Sequence, residues 1–221
     1  MPGTEKSQHI SLTTHVERGL KDRLSLGELK PGARLITKNI AEELGISITP
    51  VREALLRLVS ASALTIAPAQ AFMVPEINMA RFAEIIRIRC ELEGMAVMEA
   101  TGRITPERME LLEALLATYQ QAHERGSVAE RLRANRALRF KIYHFANMPT
   151  LCEMIEQLWV QMGPSLHFLY DLEKEGAYPH SVDHYHQLFK VIAQGNKEAS
   201  RDCLIDIINK NVAIVKRQYL N

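Results

Sequence analysis

A chain of 221 residues, 47% hydrophobic, 24% charged and 6% aromatic, has the composition of one large or two modest globular domains with enough Leu, Ile and Ala for a real core. Extensive disorder is excluded, and no apolar run approaches the ~20 residues that span a bilayer. The formal net charge of +1 does not announce a polyanion-binding surface, so a nucleic-acid role would rest on where a few charges cluster.

The first residues, MPGTEKSQHISL, are polar where a secretory signal would need an apolar stretch, which leads us to expect a cytoplasmic protein. Cys90, Cys152 and Cys203 are an odd number without a Cys-x-x-Cys pair and read as reduced thiols. Up to Pro75 there are nine Lys/Arg against seven Asp/Glu, a slight basic excess that the remainder lacks.

From Leu12 to Leu26, Val16, Leu20 and Leu24 recur at helical spacing, and Gly27 supplies a stop. GELKPGARL then turns at Pro31-Gly32, and Thr37 can cap a short helix that Gly45 ends. In ELGISITPVREALLRL, residues 43–58, Pro50 suits the first turn of a new helix, with Ser47 or Thr49 as its cap. At 100° per residue, Val51, Ala54, Leu55 and Leu58 share one face, while Thr49, Arg52, Glu53 and Arg57 lie opposite. Beyond Ser60, β-branched residues on either side of Pro68 read as two short strands of a hairpin. Helix, short helix, tight turn, helix and hairpin make the layout of a winged helix-turn-helix, although capped amphipathic helices also occur in many proteins that never touch DNA.

After Met79 the pattern is helical throughout. Six segments, 82–100, 105–124, 128–146, 149–172, 182–194 and 197–220, are separated by breaks at Thr105-Pro106, Gly126, Met148-Pro149, Gly176 and Gly195. The expected fold is therefore mainly α: a winged helix-turn-helix over residues 1–75, a hinge at 76–80, and an all-α bundle of six to seven helices over 81–221.

LSLGELKPGARL, IAEELGISITPVREALLRL and the hairpin ending in VP together resemble the N-terminal domain of the GntR family of bacterial transcription regulators across residues 12–75. RIRCELEGMA, with Arg89 and Glu93, resembles the effector-binding FCD domain of the FadR subfamily. Within that subfamily the resemblance points towards control of biofilm and exopolysaccharide genes. It implies a DNA-binding regulator, in the first instance a repressor, that works as a homodimer on an inverted-repeat operator in double-stranded DNA, answers to a small-molecule effector and is not an enzyme.

On that reading, Ser47 and Thr49 bond phosphates at a helix N-terminus, and Arg34 and Lys38 pair with neighbouring phosphates. Arg52 reaches guanine O6 and N7, whereas Arg57 makes a surface ion pair and Glu53 orients Arg52 or braces a helix. Relatives commonly read Ser-Arg-Thr-Pro at this point, so Ile48 replaces an arginine and either loses a contact or meets a thymine methyl. Gln70 and Ala71 stand where relatives often carry Arg-Gly at the wing tip, which puts wing contact with the minor groove in doubt.

Many FCD domains hold a divalent metal with an Asp and three His. The corresponding positions here are Asn135, Arg139, Tyr185 and Ile207, a set that should bind no metal, so no cofactor is expected. His144, His184 and His186 read as surface or packing residues, and His167 as a core histidine. With Arg89 and Arg139 turned into the bundle, and Asn135 and Tyr185 offering hydrogen bonds, the effector site would grip a small organic anion directly. An internal ion pair between Arg89 and Glu93 is the competing explanation. The rival classes are a helical ligand-binding or scaffolding protein and, further off, a metal-dependent enzyme. No phosphate-binding glycine loop, nucleophile elbow or His-Glu-x-x-His is present to support the enzyme.

Overall fold

In the computed structural model, residues 11–68, 71–76, 78–174 and 184–220 are described. Helix α1, Leu12–Ser25, starts where the Ser11 hydroxyl accepts from Thr14 N–H, and buries Val16, Leu20 and Leu24. It stops at Leu26–Gly27, where Gly27 takes φ +67°. Strand β1, Arg34–Leu35, follows the Pro31-Gly32 turn, and α2, Thr37–Leu44, ends on left-handed Gly45. Helix α3 covers Ile48–Ser60, and β2, Thr65–Ala67, and β3, Ala71–Met73, form the hairpin.

The sheet has three strands in the order β1-β3-β2, all antiparallel, with Leu35 opposite Phe72 and Phe72 opposite Ile66. The outer strand β1 was not foreseen, because two residues are too few for alternation to register. Thr37 is not a cap: Ile36 holds that position without a side-chain hydrogen bond, and Thr37 is the first helical residue.

Seven α-helices among the described residues make up the rest. Helix α4, Met79–Thr101, begins where Asn78 Oδ1 accepts from Ala80 and Arg81 N–H, so the last two of residues 76–80 already belong to its first turn. Helix α5, Pro106–Arg125, is capped by Thr105, and α6, Val128–Phe145, by a reciprocal Ser127–Glu130 box. The segment 149–172 is not one helix. It divides into α7, Pro149–Met162, a 3₁₀ turn over Gly163–Leu166, and α8, Phe168–Lys174. Gly163 lies so close to α1 that a Cβ there would sit 2.0 Å from the Leu24 carbonyl oxygen, and Pro164 removes a helical N–H donor. Helices α9, His184–Ala193, and α10, Lys197–Leu220, complete the bundle, with α10 packed along α4.

Two cores result. The first gathers Val16, Leu20, Leu24, Leu35, Ile40, Val51, Leu55, Leu58 and Phe72, and the second fills the space among α4–α10. Val160 of α7 is buried in the first, so the two units share a seam. Across it, Gln161 donates to the Ala61 carbonyl at 2.8 Å, and Arg133 pairs with Glu28 at 3.4 Å. Among the described residues no helix is long and apolar enough to cross a membrane.

A candidate nucleic-acid interface and an arginine-walled cavity

Helix α3 divides as its sequence pattern predicts. Val51, Ala54, Leu55 and Leu58 are fully buried at 0% exposure, at roughly 1.5–3 kcal/mol for each Val or Leu. Arg52 and Glu53 are exposed on the other side. Arg52 has no ion-pair partner among the described residues, and Arg34 on the edge strand has none either. Arg57 is engaged with Glu17 at 3.2 Å. Burial raises the Glu17 pKa, but hydrogen bonds from Lys21 and Arg57 outweigh it and hold the carboxyl below its ordinary value. Glu53 accepts from Thr13 Oγ1 at 2.9 Å, so it braces α1 rather than orienting Arg52.

Ser47 sits at the α3 N-cap without a side-chain cap hydrogen bond, which leaves its hydroxyl available at the helix start. Beside it, Ile48 is 52% exposed, although most residues of that size and polarity are covered. Thr49 is exposed in the same turn. Lys38 lies 3.8 Å from Glu42, both well exposed, a contact of little strength that a phosphate could replace. Gln70 lies outside the described residues.

In the helical unit, Glu93 is the hub of a buried network. Its Oε1 accepts from Arg89 Nε at 2.5 Å and from Trp159 Nε1 at 2.9 Å. Its Oε2 accepts from Arg139 Nη2 at 2.6 Å and from the Tyr143 hydroxyl. Arg139 Nε also donates to Tyr143 Oη at 2.7 Å, and the Arg89 guanidinium lies 4.6 Å from the Trp159 ring centroid. Burial pushes the Glu93 pKa up, but the fields of Arg89 and Arg139 and their hydrogen bonds bring it down to about 2. Burial likewise opposes the charge on Arg139, which Tyr143, Tyr185 and Glu93 nonetheless hold firmly protonated. Burial drives the Tyr143 pKa well up, so that phenol is neutral. Two guanidinium charges and one carboxylate leave the network at +1.

This network forms one wall of a cavity of about 140 Å³, bounded also by Asn135, Ile86, Met162 and Val212. Arg89, Asn135 and Arg139 are brought together on it. The ion pair of Arg89 with Glu93 weighed from the sequence is present and is shared with Arg139, while both arginines also face the cavity. Tyr185 does not line it. Its hydroxyl is spent on Asn135 Oδ1, which places it behind the wall. Ile207 is buried in the core. A guanidinium bound to a carboxylate and an isoleucine do not fit a divalent cation, and among the described residues no group of three or more His, Cys, Asp or Glu is placed to hold one. His144 contacts the Phe140 carbonyl, His186 the Gln120 amide and His167 the Gly27 carbonyl; the His184 side chain lies outside the description. Sequence reasoning paired Glu93 with Arg89 alone. The shared use by Arg139, Tyr143 and Trp159 was hidden because their spacing along the chain carries no periodic signal.

The family profile described as bacterial regulatory proteins, gntR family, matches residues 12–74, and the FCD domain profile matches residues 84–210. Over 219 residues the chain is 54% identical to the HTH-type transcriptional regulator McbR of Escherichia coli (strain K12), covering 99% of each. The chain belongs to the gntR family of bacterial regulatory proteins. This gntR-family transcriptional regulator carries an FCD domain, and its exposed α3 face lies within the segment that the gntR profile covers. It is 24% identical over 200 residues to the uncharacterized HTH-type transcriptional regulator YdhC of Bacillus subtilis (strain 168), across 89% of this chain and 88% of that one. The solved structure of E. coli McbR/YncC superposes with a TM-score of 0.87 at 52% identity, over 95% of the regulator and 99% of that chain. A GntR structure from Rhodococcus sp. RHA1, at 20% identity and TM-score 0.74 over 95% and 100%, shows the same fold.

Proposed function

We propose that this regulator acts in the cytoplasm as a homodimer that sets the α3 helices of its two protomers into successive major-groove turns of an inverted-repeat operator. Residues 1–75 serve as the DNA-binding domain, 76–80 as the hinge, and 81–221 as the effector-binding and dimerisation domain. The observation that carries the reading is Arg52: an exposed cation without an ion pair among the described residues, one turn into a helix whose opposite face is fully buried. A bidentate contact from Arg52 to guanine is worth ~1–3 kcal/mol of base discrimination. Ser47 and Thr49 at the helix start, with Arg34 and Lys38 beside it, bind phosphates and fix the register. Ile48 reads a thymine methyl.

Operator binding answers to a small organic anion in the cavity walled by Arg89, Asn135 and Arg139, with Tyr185 fixing Asn135 from behind. Supporting this is the buried charge of +1, which is costly unless something of opposite sign completes it. The effector binds one arrangement of the bundle better and so shifts the spacing of the two DNA-binding units, typically with ~1–3 kcal/mol of coupling. A compact dimer on its operator most simply blocks polymerase, so we assign repression, and the resemblance extends the proposal to biofilm and exopolysaccharide genes.

The test is selection of bound sequences from genomic DNA, followed by gel-shift titration at about 50 and about 200 mM salt with Arg52→Ala alongside. Selected fragments should bind, weaken steeply with salt and lose selectivity in the variant. Salt-insensitive binding, or none, would favour a helical ligand-binding or scaffolding protein.

A further inference from the structure

The cavity is not confined to the helical unit. Ser25, the last residue of α1, stands in its wall with Met162, Leu166 and Phe168. At this seam backbone meets backbone: a Cβ on Gly163 would lie 2.0 Å from Leu24 O, and one on Gly27 would lie 3.0 Å from Gly163 O. The following turn ties the contact down, since Tyr170 donates its hydroxyl to Leu26 O at 2.9 Å and His167 Nδ1 lies 2.8 Å from Gly27 O. Arg89 donates to Met162 Sδ, and the next residue, Gly163, presses on the end of α1. The charged wall and the DNA-binding unit are therefore separated by one step of chain.

Size and charge narrow the ligand. A volume of about 140 Å³ is close to that of cavities that hold benzene and well below the ~300–1,000 Å³ of pockets for drug-sized molecules. A guanidinium has five N–H donors; Arg89 spends Nε on Glu93 and Nη1 on Met162, while Arg139 spends Nε on Tyr143 and Nη2 on Glu93, so donors remain on both. One negative charge balances the Arg89–Glu93–Arg139 network and two would overshoot it; Arg131, which also stands in the cavity wall, donates its Nε to the Ala122 carbonyl at 3.2 Å.

We propose that the effector is a singly charged carboxylate with a compact apolar body, and that Ser25 is the residue through which the DNA-binding unit touches it. The proposal rests on the effector reading given above and adds the ligand's class and its point of contact. A ligand in this cavity bears on the end of α1, and α1 is clamped to the recognition helix by Thr13–Glu53 and Glu17–Arg57. Occupancy is thus felt at α3 without passing through the covalent hinge.

Benzoate is the probe, with benzamide as its neutral counterpart, and phthalate and inorganic phosphate as controls. The single tryptophan, Trp159, stacked on Arg89 in the cavity wall, reports binding by its fluorescence. Benzoate should bind at least about tenfold more tightly than benzamide or phthalate. Ser25→Val, which narrows the cavity from the α1 side, should weaken benzoate by about tenfold or more and bring operator affinity to the benzoate-saturated value of the wild type. Ser25→Ala, which fills nothing, should leave benzoate affinity within about twofold, because the Ser25 hydroxyl donates its one proton to the Asp22 carbonyl at 3.0 Å and has none left for a carboxylate. Val212→Phe, which narrows the cavity from α10, should abolish both benzoate binding and the benzoate response.

If Ser25→Val binds benzoate as the wild type does, Ser25 is not a contact and the proposal falls. It falls equally if Val212→Phe still binds, because the site is then elsewhere, or if benzamide matches benzoate. Preference for phthalate or phosphate refutes the ligand class and leaves an anion-binding cavity standing. Failure of every anion to bind removes the effector reading itself.

Discussion

Replacing Glu93 by Gln keeps the side chain's size and removes its charge at a position with 0% exposure. Arg89 and Arg139, at 4% and 1% exposure, would then carry two buried positive charges with no counter-charge among their hydrogen-bond partners. Breaking a buried pair from one side typically costs ~3–5 kcal/mol. The depressed carboxyl corresponds to a figure of the same order: lowering it from 4.5 to about 2 stabilises the charged form by ~3 kcal/mol at ~1.4 kcal/mol per pH unit. Because the folded-state pKa is depressed, this stability is present above pH 4.5 and is lost as the pH falls through about 2. Against a total of ~5–15 kcal/mol, Glu93→Gln should lose about a fifth or more, read by urea denaturation with Trp159 fluorescence at pH 7. The variant should also have lost the wild type's acid-induced drop in stability between pH 4.5 and about 2. The triple replacement Glu93→Leu, Arg89→Met, Arg139→Met should recover stability, since well-packed apolar groups often match a buried ion cluster. A Glu93→Gln protein within ~1 kcal/mol of wild type, with an unchanged acid limb, would refute the claim that this carboxylate holds the two arginines.

Further outcomes concern the DNA-binding unit. Leu55→Ala, at a position with 0% exposure, should cost ~2–5 kcal/mol by urea titration, whereas Arg52→Ala should leave the midpoint nearly unchanged. Ser47→Ala should leave stability within ~0.5 kcal/mol, because no cap hydrogen bond is lost, and weaken binding about equally across operator sequences in gel shift. Ile48→Arg should move the preferred base beside α3 from thymine towards guanine, by ~1–3 kcal/mol in a selection experiment; an unchanged selected sequence would show that position 48 does not face a base.

Much of this regulator was legible along the chain. The ends of α1, α5 and α6 follow from capping residues and glycine stops, and the inward face of α3 from the spacing of Val51, Ala54, Leu55 and Leu58. These are local matters: 3.6-residue periodicity and orphan backbone groups act within a few residues of each other, so a linear reading can find them. The motifs at residues 43–58 likewise singled out Arg52, Ser47 and Ile48, which the structure leaves exposed together.

What needed tertiary structure was every relation between residues far apart in sequence. Strand β1 exists because Leu35 finds Phe72, and the break at Gly163 exists because α1 arrives there. Glu93 shares its two oxygens with residues up to 66 positions away, and Ser25 enters the cavity from the other unit. Only packing brings such groups within reach, and only then do desolvation and counter-charge determine which of them can meet a ligand. The sequence by itself determined the helices, the winged helix-turn-helix and the residues it exposes, while the fold decided that two arginines share one carboxylate and that the cavity they wall touches the DNA-binding unit.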